Sequence, residues 1–245
     1  MNKKYYRHLL FILLPVLILS LTFFTLSGCS KINTKDLSFK IQDQVGKTDG
    51  ESEEIMLPDP KLKGSISLEE ALKIRRSIRD FSEKDLTLED ISQILWAAQG
   101  ITEESLGFRT APSAGALYPL ELFVVKSDGL FHYVAEEHKL EKLSSQDLRQ
   151  KLMKASLFQE SISTAPIDIV ITAIYERTTA KYGERGIRYV HIEAGHACQN
   201  ILLQAAALQL GAVPIGAFSD DEVQKVLNLP AAYKPLYVIP VGHPR

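Results

Sequence analysis

The chain has 245 residues, 45% hydrophobic and 24% charged, a balance that fits a globular protein and excludes a disordered or collagen-like one. Its 28 Lys and Arg against 30 Asp and Glu leave a formal charge of -2, without the basic surplus of a nucleic-acid binder. Two cysteines exclude a disulfide scaffold, so the fold must rest on its core.

A short basic stretch with Lys3, Lys4 and Arg7 precedes an uncharged apolar run from Leu9 to Leu26. Hydropathy alone leaves a signal-peptide core and a membrane span both open. Leu26-Ser27-Gly28-Cys29 resembles a bacterial lipobox, with an uncleaved signal anchor as the alternative. The lipobox reading implies a signal peptide at 1–28, lipidation of Cys29, and an exported lipoprotein anchored to a membrane of the bacterial cell envelope. Cys198 is then the one remaining thiol. Residues 29–64 lack apolar periodicity and read as a solvated tether, about 30 Å end to end if it behaves as a flexible coil.

Residues 65–245 read as one α+β domain. Ser67 begins a helix with capping-box spacing to Glu70, placing Leu68, Ala71 and Leu72 on one face. Thr87 and Asp90 begin a second, whose apolar positions run from Leu88 to Ala98 until Gly100. Residues 120–126 and 130–134 predict two strands around a Ser127-Asp128-Gly129 turn. Residues 147–158 are helical in pattern, and 167–174 form a near-continuous β-branched run, as in a strand buried on both faces. A long Ala- and Leu-rich helix is expected over 189–210, apolar enough all round to be central or to lie in a subunit interface. A short helix over 220–227 and a last strand over 236–241 complete the chain. Helices and strands do not alternate regularly, which favours α+β over a doubly wound sheet. Neither a Rossmann fingerprint nor a P-loop occurs.

Arg75-Arg76-Ser77-Ile78-Arg79 places three guanidiniums and a hydroxyl within five residues, a set suited to phosphate oxygens. The same residues also suit a basic helix end that complements the helix dipole. Small-residue loops bounded by proline follow at 110–119, 211–216 and 241–245. Such loops let the backbone approach a flat ligand, and with the basic residues they fit a planar phosphorylated one. His191, Glu193 and His196 share the long helix, but a five-residue His spacing does not place both rings on one face; packed or hydrogen-bonded histidines are expected.

Taken together, R-R-S-I-R, S-A-G-A-L-Y-P-L-E-L and G-A-V-P-I-G-A-F resemble the FMN-dependent nitroreductase family, and S-A-G-A-L-Y-P its azoline-oxidising SagB/ThcOx branch. The resemblance implies a nitroreductase-like α+β sandwich that forms an intimate homodimer with FMN at the subunit interface. By position it implies that Arg75, Arg76 and Ser77 hold the FMN phosphate and that Arg79 sits near the N1/O2 edge of the flavin. It puts Ser113, Ala114 and Gly115 along the ring or ribityl chain, and Pro214, Ile215 and Gly216 near N5. Gly242 and Arg245 match the terminal phosphate-side segment. A Lys-Tyr pair is associated with catalysis in the azoline-oxidising branch, and Lys181-Tyr182 stands in a similar segment; a mixed-charge surface loop is the alternative there. The implied activity is FMN-dependent hydride transfer through flavin N5 on a small-molecule or peptide substrate that the sequence leaves open; oxidation of peptide azoline rings to azoles is one version, and an exported chain strains it. The alternatives are a NAD(P)H-dependent nitro or quinone reductase and, from another class, a non-enzymatic flavin-binding envelope lipoprotein.

Overall fold

The computed structural model describes residues 53–245. The expected signal peptide, the Cys29 lipidation site and the tether as far as residue 52 lie outside the described residues. The folded unit begins earlier than the expected residue 65. Strand β1 (Glu54–Met56) pairs antiparallel with residues 139–141 at the sheet edge, and Leu57 is buried in the core. Lys139 and Lys142 bind Glu54 and Glu53, each at 2.8 Å. Three ladder residues among charged neighbours leave no periodic signal, which is why this part of the tether reads as solvated.

Helix α1 (Leu68–Ile74) is capped by Ser67, whose side chain accepts the Glu70 N–H. Of its expected apolar face only Ala71 is buried, while Leu68 and Leu72 are exposed. Helix α2 (Leu88–Gln99) has the full Thr87–Asp90 capping box and stops at Gly100. A small hairpin of β2 (Ile101–Glu103) and β3 (Phe108–Arg109) leads to a 3₁₀ turn at Ala114–Ala116. Strands β4 (Leu120–Lys126), β5 (Gly129–Val134) and β6 (Lys139–Ser144) form a meander.

Helix α3 (Arg149–Ala155) ends earlier than its pattern, because Leu157 and Phe158 take left-handed φ values of 56° and 60° and reverse the chain. A single turn, α4 (Ser161–Thr164), precedes β7 (Ile167–Ile174), which is buried along its whole length. Lys181 and Tyr182 lie on helix α5 (Glu176–Tyr182) rather than in a loop. The long helix α6 (Arg185–Ala207) follows, then β8 (Gly211–Ala212), α7 (Asp220–Val226) and β9 (Tyr233–Gly242).

Seven strands make one antiparallel sheet in the order β1-β6-β5-β4-β7-β9-β8. Ile167, Ile169, Ile171 and Ala173 of β7 enter a core with α2 and α6 on one face; Val170 and Ile174 enter a second core with α3 and α7 on the other. Period-2 alternation of a strand buried on both faces thus supplies both sides of an α+β sandwich. Helix α6 is not apolar all round: Val190, Ala194, Ala197 and Ile201 are buried, but Ile187, His191, Ile192 and His196 face outward. Cys198 is buried on its inner side, and burial pushes its thiol up to about 12.

Candidate active site

The motif residues gather into two groups. The first forms where α1 ends: Arg75 leaves helical geometry (φ -49°, ψ 124°) and the chain runs on extended. Ser77 bridges to Ala212 in parallel, and the Ile78 N–H donates to the Ala212 carbonyl at 3.1 Å. Four residues on, Phe81 bridges to Pro244 and the Ser82 N–H donates to the His243 carbonyl at 2.9 Å. The segments at 75–82, 211–216 and 242–245, distant in sequence, therefore lie edge to edge. Gly211 permits this, because a Cβ there would meet Ile78 at 2.7 Å.

Within this group the residues differ in availability. Arg76 folds its guanidinium back onto the Lys73 and Arg75 carbonyls at 2.9 and 2.7 Å, so it covers the end of α1 and the helix-end reading describes it. Arg245 reaches Asp80 at 3.6 Å. Arg75, Ser77 and Arg79 have no recorded side-chain partner among the described residues, and open space surrounds Gly216. Two cations and a hydroxyl without a carboxylate fit the phosphate of a flavin mononucleotide. Gly242 does not face that space: a Cβ there would meet Pro166 at 2.6 Å and Phe81 at 3.0 Å, so close packing accounts for this glycine. Ile215 is likewise a core residue, bridged to Val238.

The second group surrounds Gly115 in the 3₁₀ turn. A Cβ at Gly115 would lie 2.8 Å from Tyr182 Oη and 2.9 Å from Lys181 Nζ, and its φ is +67°. The left-handed φ favours glycine, and a Cβ there would displace the two side-chain tips. The polar tips of Lys181 and Tyr182, both in the last turn of α5, thus converge on the S-A-G loop. Tyr182 stacks edge-on against Tyr189 of α6 at 5.2 Å, and the Lys181 ammonium lies 5.4 Å from the Tyr182 ring. The Ser113 hydroxyl is turned inward: it accepts the Tyr118 N–H at 2.9 Å and donates to Glu193.

Buried charges hold this group in place. Arg177 of α5 donates to the Tyr118 carbonyl at 2.9 Å and forms an ion pair with Glu121 of β4. His132 bonds the other Glu121 oxygen at 2.7 Å. Burial alone would raise the Glu121 carboxyl, but the Arg177 charge and the His132 bond hold it near 2. Tyr118 Oη accepts the Arg109 N–H at 3.1 Å, and the Arg109 guanidinium covers the Tyr118 ring at 4.9 Å. Sequence reasoning singled out none of Glu121, Arg177, His132 or Arg109, although Glu121 stands inside the S-A-G-A-L-Y-P-L-E-L motif. His191 on the outer face of α6 is hydrogen-bonded to Tyr175. A cleft of about 280 Å³ between α1, α2 and α6 contains none of the candidate residues.

The description of the nitroreductase family matches residues 72–243. A putative nitroreductase of Methanocaldococcus jannaschii is 44% identical over 199 residues, covering 79% of this chain and 98% of that protein. The microcin B17-processing protein McbC of Escherichia coli is 27% identical over 61% of this chain and 60% of its own length. Among solved structures, a putative nitroreductase from Ralstonia eutropha JMP134 superimposes with a TM-score of 0.73 at 29% identity, covering 80% of this chain and 92% of that one. A fold built on an antiparallel sheet between helical layers, with the motifs in these positions, agrees with that match, and the chain belongs to the nitroreductase family of oxidoreductases.

Proposed function

We propose that the protein is an FMN-dependent dehydrogenase that oxidises an azoline ring, carried by a peptide or small molecule, to the azole. The observation that carries this reading is the convergence of Lys181 Nζ and Tyr182 Oη on Gly115. The similarity to a protein named for processing microcin B17 supports a peptide substrate. Nitroreductase-family proteins are typically flavin-dependent and use NAD(P)H. Arg75 and Ser77 would hold the FMN phosphate, with Arg79 as a fixed cation for the ring edge. When bound, FMN supplies the two-electron acceptor. Aromatising an azoline releases one hydride equivalent and one proton, and the Lys181-Tyr182 pair is placed to take the proton from the substrate. The functional unit in this proposal is a homodimer, consistent with Ile187 and Ile192 exposed on α6.

A second reading, reduction of a nitroaromatic or quinone by NAD(P)H, is favoured by the 44% identical putative nitroreductase. One experiment separates the two. The purified protein should be yellow and release a cofactor of FMN mass, and an azoline peptide should bleach it under anaerobic conditions. Lys181→Ala and Tyr182→Phe should slow that bleaching by about 10²-fold, within the usual range for a general base, with flavin content retained. Bleaching by NADPH but not by the azoline peptide moves the assignment to the second reading. Normal bleaching in both variants removes the pair from the chemistry.

A further inference from the structure

Glu193 is a buried carboxyl with no part in the chemistry proposed above. It lies midway along α6 and is 2% exposed. Tyr189, which stacks on Tyr182, is one turn earlier on the same face. Glu193 accepts a hydrogen bond from Ser113, while its Oε1 is buried without a partner. The Ser113 oxygen accepts the Tyr118 N–H, and the Tyr118 carbonyl accepts from Arg177, which Glu121 fixes. The turn carrying Gly115 is thus suspended between two carboxyls, one at each end of Tyr118's peptide groups. Glu121 is fully partnered and Glu193 is not.

We propose that Glu193 is a positioning residue whose protonation state sets the placement of the Ser113–Gly115 turn, and through Gly115 the alignment of Lys181 and Tyr182. As a carboxylate, Glu193 accepts the Ser113 O–H and leaves the Ser113 oxygen free for the Tyr118 N–H. As a carboxylic acid it accepts that O–H only as a neutral and weaker partner, so the pull on Ser113 slackens while the Tyr118 N–H keeps its own lone pair. Proton uptake therefore weakens a charge-assisted hydrogen bond at the root of the turn. The charged groups facing Glu193 are Arg109 of β3 and Arg177 of α5, already paired with Glu136 and Glu121. On α6 itself, Tyr189 and the exposed His196 flank it by one turn, and α2 presents the Gln99 amide, which bonds Arg109. Burial outweighs the Ser113 bond and the two arginines and raises Glu193 to about 7, so the change falls near neutral pH.

The consequence for turnover rests on Lys181 and Tyr182 acting as proposed; the movement of the turn does not. Amide NMR of the flavin-free protein from pH 5 to 9 reads the turn directly. The Ala114 and Gly115 resonances should titrate with a midpoint near 7, and Glu193→Gln should abolish that titration. Ser113→Ala should leave the Glu193 carboxyl carbon titrating while Gly115 falls silent, which tests the coupling should the Gln variant fold poorly. A Gly115 resonance that ignores pH in the wild type, or that titrates equally in Glu193→Gln, overturns the proposal. In the flavin-loaded wild type, kcat should follow the same midpoint, and a flat kcat profile alongside a titrating turn would instead count against the Lys181-Tyr182 role.

Discussion

Two sets of arginines in this fold do opposite things. Arg75 and Arg79 stand beside the 211–216 segment with no recorded carboxylate partner among the described residues. Arg109 and Arg177 are each 10% exposed at the side chain, and each is paired with a glutamate. A buried guanidinium must be paired, since its desolvation is costly. A cation at the surface bears no such cost and keeps its charge for a ligand. The contrast separates residues that build the site from residues offered to what binds there.

The sharpest way to break this contrast is to cut the Arg177–Glu121 pair. Glu121→Ala leaves a buried guanidinium without its partner and should cost about 3–5 kcal/mol, read as a lower midpoint in urea unfolding. The same pair fixes an acid limb. The folded Glu121 value lies below the ordinary 4.5. Its stabilisation is therefore complete above pH 4.5 and is lost as pH falls toward 2. A loss in Glu121→Ala no greater than that of an exposed pair, about 1 kcal/mol or less, would show that the charges are not structural.

Arg75→Ala and Ser77→Ala probe the other side. The fold should keep its unfolding midpoint, while FMN affinity measured by fluorescence quenching falls about 10–100-fold for the arginine, as for one charge-assisted hydrogen bond. The hydroxyl should cost less. Arg76→Ala should weaken flavin binding least of the three, because its guanidinium already serves the end of α1. Equal losses for Arg75 and Arg76 would erase the distinction that the structure draws between them.

These two regions also differ in how legible they were. Arg75 to Arg79 and the small-residue loops are contiguous runs whose chemistry can be read residue by residue, and the Thr87–Asp90 box marks its helix from four residues. The buried supports are pairings across the chain: Arg177 and Glu121 are 56 residues apart, and nothing local to either announces the other. Helix α5 was missed because Tyr175 offers no capping side chain and its Thr and charged residues are weak helix signals. Glu193 was named only beside the two histidines, but its burial could have been read. It stands three residues after Val190 and four before Ala197, on the buried stripe of α6, where a carboxyl is out of place.

That misplaced carboxyl gives a stability effect of opposite sign to Glu121. Glu193 in the folded protein has its value raised from the ordinary 4.5 to about 7. Below pH 4.5 it is protonated in both states and costs nothing. Between 4.5 and 7 the unfolded chain ionises it while the fold does not, so stability falls as pH rises, and above 7 the whole cost remains. Glu193→Gln, which keeps the shape and removes the charge, should therefore unfold like the wild type at pH 4.5 but be more stable at pH 8, by about 1–3 kcal/mol. Glu121→Ala destabilises by leaving a charge unpaired, whereas Glu193→Gln stabilises by removing one that burial disfavours. A glutamine variant less stable than wild type at pH 8 would mean that Arg109 and Arg177 need the Glu193 charge, and Glu193 would then join Glu121 among the paired supports.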